Sequence, residues 1–238
     1  MFRKCYFASN SGKIRTNNED CIQINKLVIS KEIDKRGSIL IGNHSLISVC
    51  DGMGGEEFGE IASFKAASKL ASLKPKSINQ DNMFNAIREV NDDICSEMSN
   101  MNVRMGSTLV SVLFKGNLID IYNLGDSRCY IYGSELIQLS KDHTVEKLNG
   151  NKKGALTQHL GIYKDEVEIE PFVIDNIELK KNNYLLLCSD GLYDMVPKDE
   201  IGNILSLKIK DEEKRDKLME RALENGGKDN ISFLLVRG

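Results

Sequence analysis

Residues 107–139 read STLVSVLFKGNLIDIYNLGDSRCYIYGSELIQL, and this stretch decides the fold class. It contains four short apolar segments, at 107–114, 118–125, 128–132 and 135–139. The tripeptide KGN separates the first two segments and the dipeptide GS separates the last two, and both connections have the length of a tight hairpin turn. The stretch therefore predicts consecutive antiparallel strands, not the alternation of strands and helices that builds a parallel sheet.

Patterns on both sides of this stretch predict further strands and three helices. Additional strands are predicted at 2–9, 20–24, 26–30, 38–42, 45–50, 184–190 and 231–238. The polar heptapeptide KEIDKRG joins 26–30 to 38–42, and we expect these two strands to pair as a hairpin. Helices are predicted from two apolar stripes, Phe58, Ala62, Ala66, Leu70 and Leu73, then Met83, Ile87, Val90, Ile94 and Met98, and from the charged segment at 211–227. Strands grouped apart from helices indicate the α+β class.

Composition limits the range of functions. The 238 residues, 41% of them hydrophobic, suit one larger domain with a full core. A net charge of −3 without a basic stripe argues against a nucleic-acid partner. Apolar runs are too short to span a bilayer, and the first residues lack the pattern of a signal peptide. The six cysteines form no CxxC pair, so we expect free thiols and a cytoplasmic location.

Acidic residues recur at the ends of the predicted strands. Asp51 follows one strand and Asp190 ends another, and a glycine comes directly after each of them. Further acidic positions next to strands are Glu19, Asp20, Asp126 and Asp229. Each of these residues taken singly is typical of a turn or a helix cap. Several buried carboxylates, however, are costly unless cations neutralise them, and oxygen ligands without His or Cys select Mg²⁺ or Mn²⁺.

Eight segments of the chain resemble one known family, in the order in which that family carries them. They are SNSGKIRTNNEDC (9–21), VCDGMGGEEFGEIAS (49–63), GSTLVSVLF (106–114), NLGDSRCYIY (123–132), LSKDHTV (139–145), LTQHLG (156–161), LLLCSDGLYDMV (185–196) and GGKDNISFLLV (226–236). One such segment alone is a weak signal, whereas eight in order are specific. The chain resembles the metal-dependent protein phosphatases (PPM, the type 2C Ser/Thr phosphatases) of the short bacterial kind.

The resemblance implies a fold and a set of site residues. The implied fold is a four-layer αββα sandwich, with two central antiparallel sheets flanked by helices, in a single domain over 1–238. The implied metal ligands are Asp20, Asp51, Asp190 and Asp229 through their carboxylates and Gly52 through its carbonyl, with Asp126 at a weaker third ion. Arg15 matches the arginine that binds the substrate phosphate, and Glu19 matches a position that acts through water. Arg15, Asp20, Asp51 and Asp190 are accordingly the expected catalytic residues.

The same resemblance implies an activity. We expect a cytoplasmic protein serine/threonine phosphatase in which a hydroxide bridging two divalent cations, Mn²⁺ or Mg²⁺, attacks phosphorus directly. The expected partners are phosphorylated proteins, including a bacterial-type Ser/Thr kinase, and we expect a monomer that binds neither nucleic acid nor membrane. Two alternatives remain, a non-catalytic phosphoprotein-binding module on the same fold and a hydrolase of another phosphomonoester.

The residue after Gly52 leaves the proton donor open. Met53 stands where many eukaryotic relatives carry a histidine, so this position supplies no acid to the leaving group. Water on the ion at Asp126 is the preferred donor, and we expect His143 and His159 to make structural hydrogen bonds.

Two departures from the family pattern lie further along the chain. The flap near 144–156 is shorter than in bacterial relatives, and we expect this to alter substrate selection or the affinity of the third ion. Gln158 stands where relatives often carry an arginine, so we expect one positive contact fewer.

Overall fold

The computed structural model describes residues 2–53, 58–145 and 154–238. In chain order the strands are β1 (Arg3–Asn10), β2 (Cys21–Ile24), β3 (Leu27–Ser30), β4 (Asp34–Ile41), β5 (His44–Cys50), β6 (Gly52–Met53), β7 (Gly106–Ser107), β8 (Leu109–Lys115), β9 (Leu118–Leu124), β10 (Arg128–Tyr132), β11 (Leu136–Gln138), β12 (Phe172–Glu178), β13 (Tyr184–Cys188) and β14 (Ile231–Arg237). The α-helices of these ranges are α1 (Gly59–Ser72), α2 (Gln80–Met101), α3 (Asp190–Tyr193), α4 (Lys198–Ser206) and α5 (Asp211–Glu224).

The strands form two six-stranded antiparallel sheets. The first sheet has the order β11-β10-β13-β14-β1-β4, and the second has the order β12-β9-β8-β5-β2-β3. The short strands β6 and β7 pair separately beside the second sheet. The hairpins predicted within 107–139 are confirmed, because β8 pairs with β9 and β10 pairs with β11. The connection from β9 to β10 crosses from the second sheet to the first.

Three apolar clusters separate four layers. The cluster between the sheets combines residues of both, such as Phe7 of β1 and Ile47 of β5. A second cluster packs α1 and α2 against the second sheet, and a third packs α4 and α5 against the first sheet. Successive residues along the central strands are buried, so each sheet has two buried faces and needs a helical layer outside it. The αββα sandwich predicted from the sequence is confirmed.

The predicted hairpin between 26–30 and 38–42 is wrong. β3 pairs with β2 through a tight turn at Asn25, whose φ is 53°, and β4 pairs with β1 in the other sheet. Residues 31–33 therefore carry the chain from one sheet to the other. The polar heptapeptide is compatible with a hairpin turn or with a connection between the sheets. The structure has the connection, because all eight residues of β4 pair with β1 in the first sheet.

The ends of the flap near 144–156 pair with each other. Thr144 and Leu156 form an antiparallel bridge, and the backbone N–H of Val145 donates to the carbonyl oxygen of Ala155 at 3.0 Å. The rest of the predicted flap, and the glycines at 54–55 that we expect to turn the chain into α1, lie outside the described residues. No helix among the described residues is both long enough and apolar enough to cross a bilayer.

Candidate active site

A cleft of about 330 Å³ opens at one edge of the sandwich, where the strand-end carboxylates meet. Its described lining consists of Arg15, Glu19, Asp51, Gly52, Met53, Thr108, Asp126, Gly154, Leu156, Asp190 and Asp229. Strand pairing explains this convergence. Asp20 and Asp51 flank the cross-strand pair Cys21–Cys50, so adjacent strands of the second sheet bring them together. Strands β13 and β14 are likewise neighbours in the first sheet, which places Asp190 and Asp229 at the same edge.

Asp20 follows Glu19, a residue of this lining, and is only 1% exposed. Its Oδ2 accepts a hydrogen bond from the Ser189 hydroxyl at 2.8 Å, whereas its Oδ1 is buried without a partner among the described residues. Burial raises the pKa of Asp20 to about 7, and the negative charges of Asp190 and Asp229 act in the same direction. An unpartnered carboxylate oxygen beside other carboxylates is the arrangement that a cation stabilises.

Asp51 is fixed through its backbone. Its N–H donates to the Thr108 hydroxyl at 3.1 Å, and its carbonyl accepts from the Thr108 N–H at 2.9 Å. Burial raises the pKa of Asp51 well above its ordinary value, and the charges of Asp20, Asp190 and Asp126 raise it further. The carboxylates of the cleft therefore repel one another.

Gly52 is required at its position by close approach of two other segments. A Cβ atom there would lie 2.3 Å from the carbonyl oxygen of Gly59 and 2.6 Å from that of Glu19. Real side chains do not tolerate such distances, so only glycine fits between α1 and the segment before β2. Packing accounts for this glycine whether or not its carbonyl binds an ion.

Arg15 supplies a cation at the cleft. Its Nη2 donates to Asp229 Oδ2 at 2.7 Å, and both side chains are partly exposed. The other carboxylate oxygen of Asp229 accepts from the N–H of Asn230 at 2.9 Å. Because the arginine is partly exposed, its guanidinium retains donors that an anion entering the cleft can use.

Glu19 stands beside a second carboxylate that the sequence analysis did not select. The Gly59 N–H donates to the Glu19 carboxylate, while burial and the charge of Glu60 raise its pKa. Glu60 Oε2 is buried without a hydrogen-bond partner among the described residues. Its sequence signal was weak, because an acidic residue in the first turn of a helix has an ordinary explanation in the helix dipole.

The loop with Asp126 is held from both flanks. Gly125 has a φ of 101°, its N–H donates to His143 Nδ1 at 3.1 Å, and its carbonyl accepts from the His143 N–H at 3.0 Å. The next residue after Asp126, Ser127, shares a hydrogen bond of 2.6 Å with the Thr108 hydroxyl. The structural hydrogen bond predicted for His143 is confirmed.

Four polar residues that the sequence analysis did not assign support the acidic set. Thr108 holds Asp51, Ser189 holds Asp20, and the Asn230 side chain accepts from the Glu19 N–H at 2.8 Å. Tyr193 donates through its hydroxyl to the Asp126 carbonyl at 2.9 Å. All four lie in the eight family-like segments, but a sequence alone does not reveal which partner each side chain contacts.

The structure therefore brings Arg15, Asp51, Gly52, Asp126, Asp190 and Asp229 together in one cleft. Among the described residues, no group of three or more His, Cys, Asp or Glu side chains is arranged so that it could hold a metal ion. The donor set nonetheless fits a divalent cation, because it consists of oxygens, carries excess negative charge and includes the unpartnered oxygen of Asp20.

Known proteins are similar to this chain in fold and in sequence along nearly its whole length. A family model for protein phosphatase 2C matches residues 10–150 and 151–231. The serine/threonine phosphatase stp of Listeria monocytogenes serotype 4b is 33% identical, over 97% of this chain and 94% of its own. The crystal structure of serine/threonine phosphatase Stp1 from Staphylococcus aureus is 27% identical, with a TM-score of 0.81 over 98% of this chain and 94% of that one.

A further solved structure is the catalytic domain of the serine/threonine protein phosphatase PstP in complex with two manganese ions. It is 28% identical, with a TM-score of 0.79 over 100% of this chain and 99% of that one. Fold and sequence together define the class of this chain as protein-serine/threonine phosphatase. The chain belongs to the protein phosphatase 2C family and matches its bacterial members of short catalytic-domain length.

Proposed function

We propose that this chain hydrolyses phosphoserine and phosphothreonine in proteins with the help of two divalent cations bound in the acidic cleft. The observation that carries the proposal is Asp20. Its Oδ1 is buried without a hydrogen-bond partner among the described residues, and burial, together with the charges of Asp190 and Asp229, raises its pKa. The complex of the related PstP domain with two manganese ions supports Mn²⁺ as one suitable cation. The all-oxygen donor set suits Mg²⁺ as well.

The carboxylates of Asp20, Asp51, Asp190 and Asp229, together with the carbonyl of Gly52, are the ligands that we propose for the two ions. Asp51, Gly52, Asp190 and Asp229 line one cleft at the sandwich edge, and the charges of Asp190 and Asp229 act on the buried Asp20. When bound, the two cations supply a water molecule that is acidic enough to act as the nucleophile near neutral pH. The carboxylates would hold this pair of ions, and the bound charges would cancel their mutual repulsion. The residues that destabilise the cleft without metal are therefore suited to binding metal.

Arg15 is the residue that we propose to bind the substrate phosphate. Its guanidinium lines the cleft and pairs with Asp229, so it stands next to the proposed ions without being buried. A planar guanidinium binds two phosphate oxygens at once and offsets negative charge that develops during in-line displacement. Met53 lines the same cleft but has no proton to donate. We propose that Asp126 would hold a third and weaker ion, which would supply a water molecule able to protonate the leaving oxygen.

We further propose one domain over 1–238 and phosphorylated proteins as substrates, in opposition to a Ser/Thr kinase. The cluster between the two sheets draws residues from both, which supports a single domain. Full-length relatives that carry the name of serine/threonine phosphatase support the substrate class.

Phosphate release from a phosphothreonine peptide tests this function. We expect release that requires Mn²⁺ or Mg²⁺ and that falls about 100-fold or more in Asp190→Asn, because one proposed ligand charge is lost. Asp199→Asn is the matched control, since Asp199 is an exposed carboxylate in the first turn of α4 and keeps full activity under this proposal. Metal-independent release, or full activity in Asp190→Asn, contradicts the proposed mechanism. Phosphate release from small phosphate esters alone favours the alternative of a hydrolase of another phosphomonoester. Metal-dependent binding of the phosphopeptide without phosphate release favours the alternative of a non-catalytic binding module.

A further inference from the structure

A second cavity, a groove of about 380 Å³, lies beside the acidic cleft. Its described lining includes Met53, Met105, Ile162, Arg104 and Glu166. Met53 also lines the acidic cleft, so the two cavities meet at this side chain. A polypeptide that places a phosphorylated residue in the cleft, and leaves it on the side of Met53, reaches the groove next.

The inner part of the groove is apolar. Met105 and Ile162 are buried, Met53 is half-buried, and methionine side chains adapt to the shape of an apolar partner. Backbone groups beside them are already paired within the chain, because the N–H groups of Gly161 and Ile162 both donate to Asn91 Oδ1, at 2.8 and 3.1 Å. This part of the groove therefore offers an apolar surface to a ligand.

The charged residues of the described lining, Arg104 and Glu166, neutralise each other. Arg104 Nη2 donates to Glu166 Oε1 at 2.7 Å, and Arg104 Nη1 donates to Glu166 Oε2 at 3.3 Å. The guanidinium also lies 4.9 Å from the centroid of the Tyr163 ring, and both charged side chains are exposed. A fork of two hydrogen bonds between opposite charges leaves little net charge for selecting an acidic or a basic ligand.

We propose that this groove binds an apolar side chain close to the phosphorylated residue of the substrate, and that Ile162 and the Arg104–Glu166 pair determine this specificity. The inference rests on the proposed function and names the class of peptide that the cleft accepts, one with leucine, isoleucine or methionine near the phosphorylated residue. An apolar side chain gains free energy by leaving water in the groove, whereas a charged one loses hydration and gains no opposite charge.

Phosphate release from a set of phosphothreonine peptides in Mn²⁺ tests this specificity. The reference peptide has glycine at the three positions on each side of phosphothreonine, and leucine, aspartate or lysine replaces one glycine at a time. For the wild type we expect leucine at one of these positions to raise kcat/KM about tenfold over glycine, through a lower KM, whereas aspartate and lysine do not. Hydrolysis of p-nitrophenyl phosphate, which has no flanking residue, measures the cleft without the groove.

Ile162→Ala tests the apolar lining. Ile162 is not a member of the three apolar clusters of the described chain, so shortening it spares the core. We expect the preference for leucine over glycine to fall to about threefold, because less apolar surface is buried, while hydrolysis of p-nitrophenyl phosphate is retained. Loss of both activities together would indicate misfolding, and the exposed pair then provides the test.

Two substitutions at the exposed pair have opposite expected effects. Glu166→Gln leaves the Arg104 guanidinium without its carboxylate, and we expect aspartate at the same peptide position to gain about two- to fivefold relative to lysine. Arg104→Gln leaves the Glu166 carboxylate, and lysine gains relative to aspartate by a similar factor. The matched control is Glu212→Gln, since Glu212 is an exposed carboxylate paired with Lys4 at 3.5 Å outside the described lining of both cavities, and its peptide preferences stay those of the wild type.

The possible failures are distinguishable. Wild-type protein that releases no phosphate from any peptide overturns the proposed function and this inference with it. Metal-dependent release at equal kcat/KM from the leucine and glycine peptides overturns the groove specificity alone, as does a wild-type preference for aspartate or lysine. A preference for leucine that is unchanged in Ile162→Ala, with no opposite shifts in Glu166→Gln and Arg104→Gln, likewise overturns the assignment to this groove and leaves the phosphatase proposal intact.

Discussion

Replacing Asp20 with asparagine removes one buried negative charge and leaves the shape of the side chain almost unchanged. In the folded chain the pKa of this carboxylate is raised from 3.8 to about 7, first by burial and then by neighbouring carboxylates. This pKa difference corresponds to about 4 kcal/mol. The metal-free protein loses this amount of unfolding free energy when the Asp20 carboxylate becomes charged. The amide of the variant leaves a buried N–H₂ group short of acceptors, which costs about 1–3 kcal/mol.

The sign of the pH dependence follows from the direction of this shift. Because the folded-state pKa exceeds the unfolded one, the contribution of Asp20 is fully present at low pH and is lost as the pH rises through about 7. Without metal, Asp20→Asn is therefore less stable than the wild type near pH 4 by about 1–3 kcal/mol and more stable near pH 8 by a similar amount. With saturating Mn²⁺ near pH 8 the order reverses, because the wild type gains ligand-binding energy that the variant lacks.

Urea unfolding in a chelator near pH 4, 6 and 8, repeated with Mn²⁺ near pH 8, measures these differences. The control is Asp120→Asn, since Asp120 is also buried but is paired with Lys115 at 2.6 Å and accepts from the Asn176 N–H at 2.9 Å. We expect Asp120→Asn to be destabilised with and without Mn²⁺. A constant difference between Asp20→Asn and wild type across this pH range, together with equal stabilisation of both by Mn²⁺, refutes the reasoning.

Two further predictions concern the same cleft. We expect Gly52→Ala to lower the unfolding free energy by about 2 kcal/mol or more, because its Cβ would lie 2.3 Å from the Gly59 carbonyl oxygen. The control is Gly202→Ala in α4, where the nearest atom to the new Cβ lies at 3.8 Å, and we expect this variant to gain up to about 1 kcal/mol. Thermal or urea unfolding measures both changes. Arg15→Ala is expected to raise the KM for a phosphothreonine peptide about tenfold or more while Mn²⁺ still binds, since its partner Asp229 remains; an unchanged KM contradicts a role in phosphate binding.

Much of this molecule was predictable from local patterns. The hairpins of 107–139 are confirmed because tight turns and apolar runs specify neighbouring pairs without reference to the rest of the chain. The helical stripe of Met83, Ile87, Val90, Ile94 and Met98 is buried throughout, because a repeat of 3.6 residues determines one face of a helix. The acidic residues converge as expected, because strands that pair bring their ends to a common edge.

Other features depend on contacts between segments distant in sequence. The hairpin between β3 and β4 was predicted wrongly, because a polar connection does not state which sheet the next strand joins. The unpartnered oxygens of Asp20 and Glu60 were also not visible, since whether a buried polar atom finds a partner depends on the packing around it. Ser189, which donates to the Asp20 carboxylate, lies 169 residues further along the chain.

The sequence by itself determined the α+β class, the family resemblance and the identity of the acidic set with Arg15. These depend on residue type and on spacing along the chain, which the sequence contains in full. Only the tertiary structure decided that Ser189 donates to the Asp20 carboxylate and that Thr108 and Asn230 fix the backbones of Asp51 and Glu19. It also decided that Tyr193 reaches the carbonyl of Asp126 from the turn that begins at Asp190. The reason is physical: a hydrogen bond depends on atoms within about 3 Å of each other, and the packing of the two sheets, not the order of residues, determines which atoms meet.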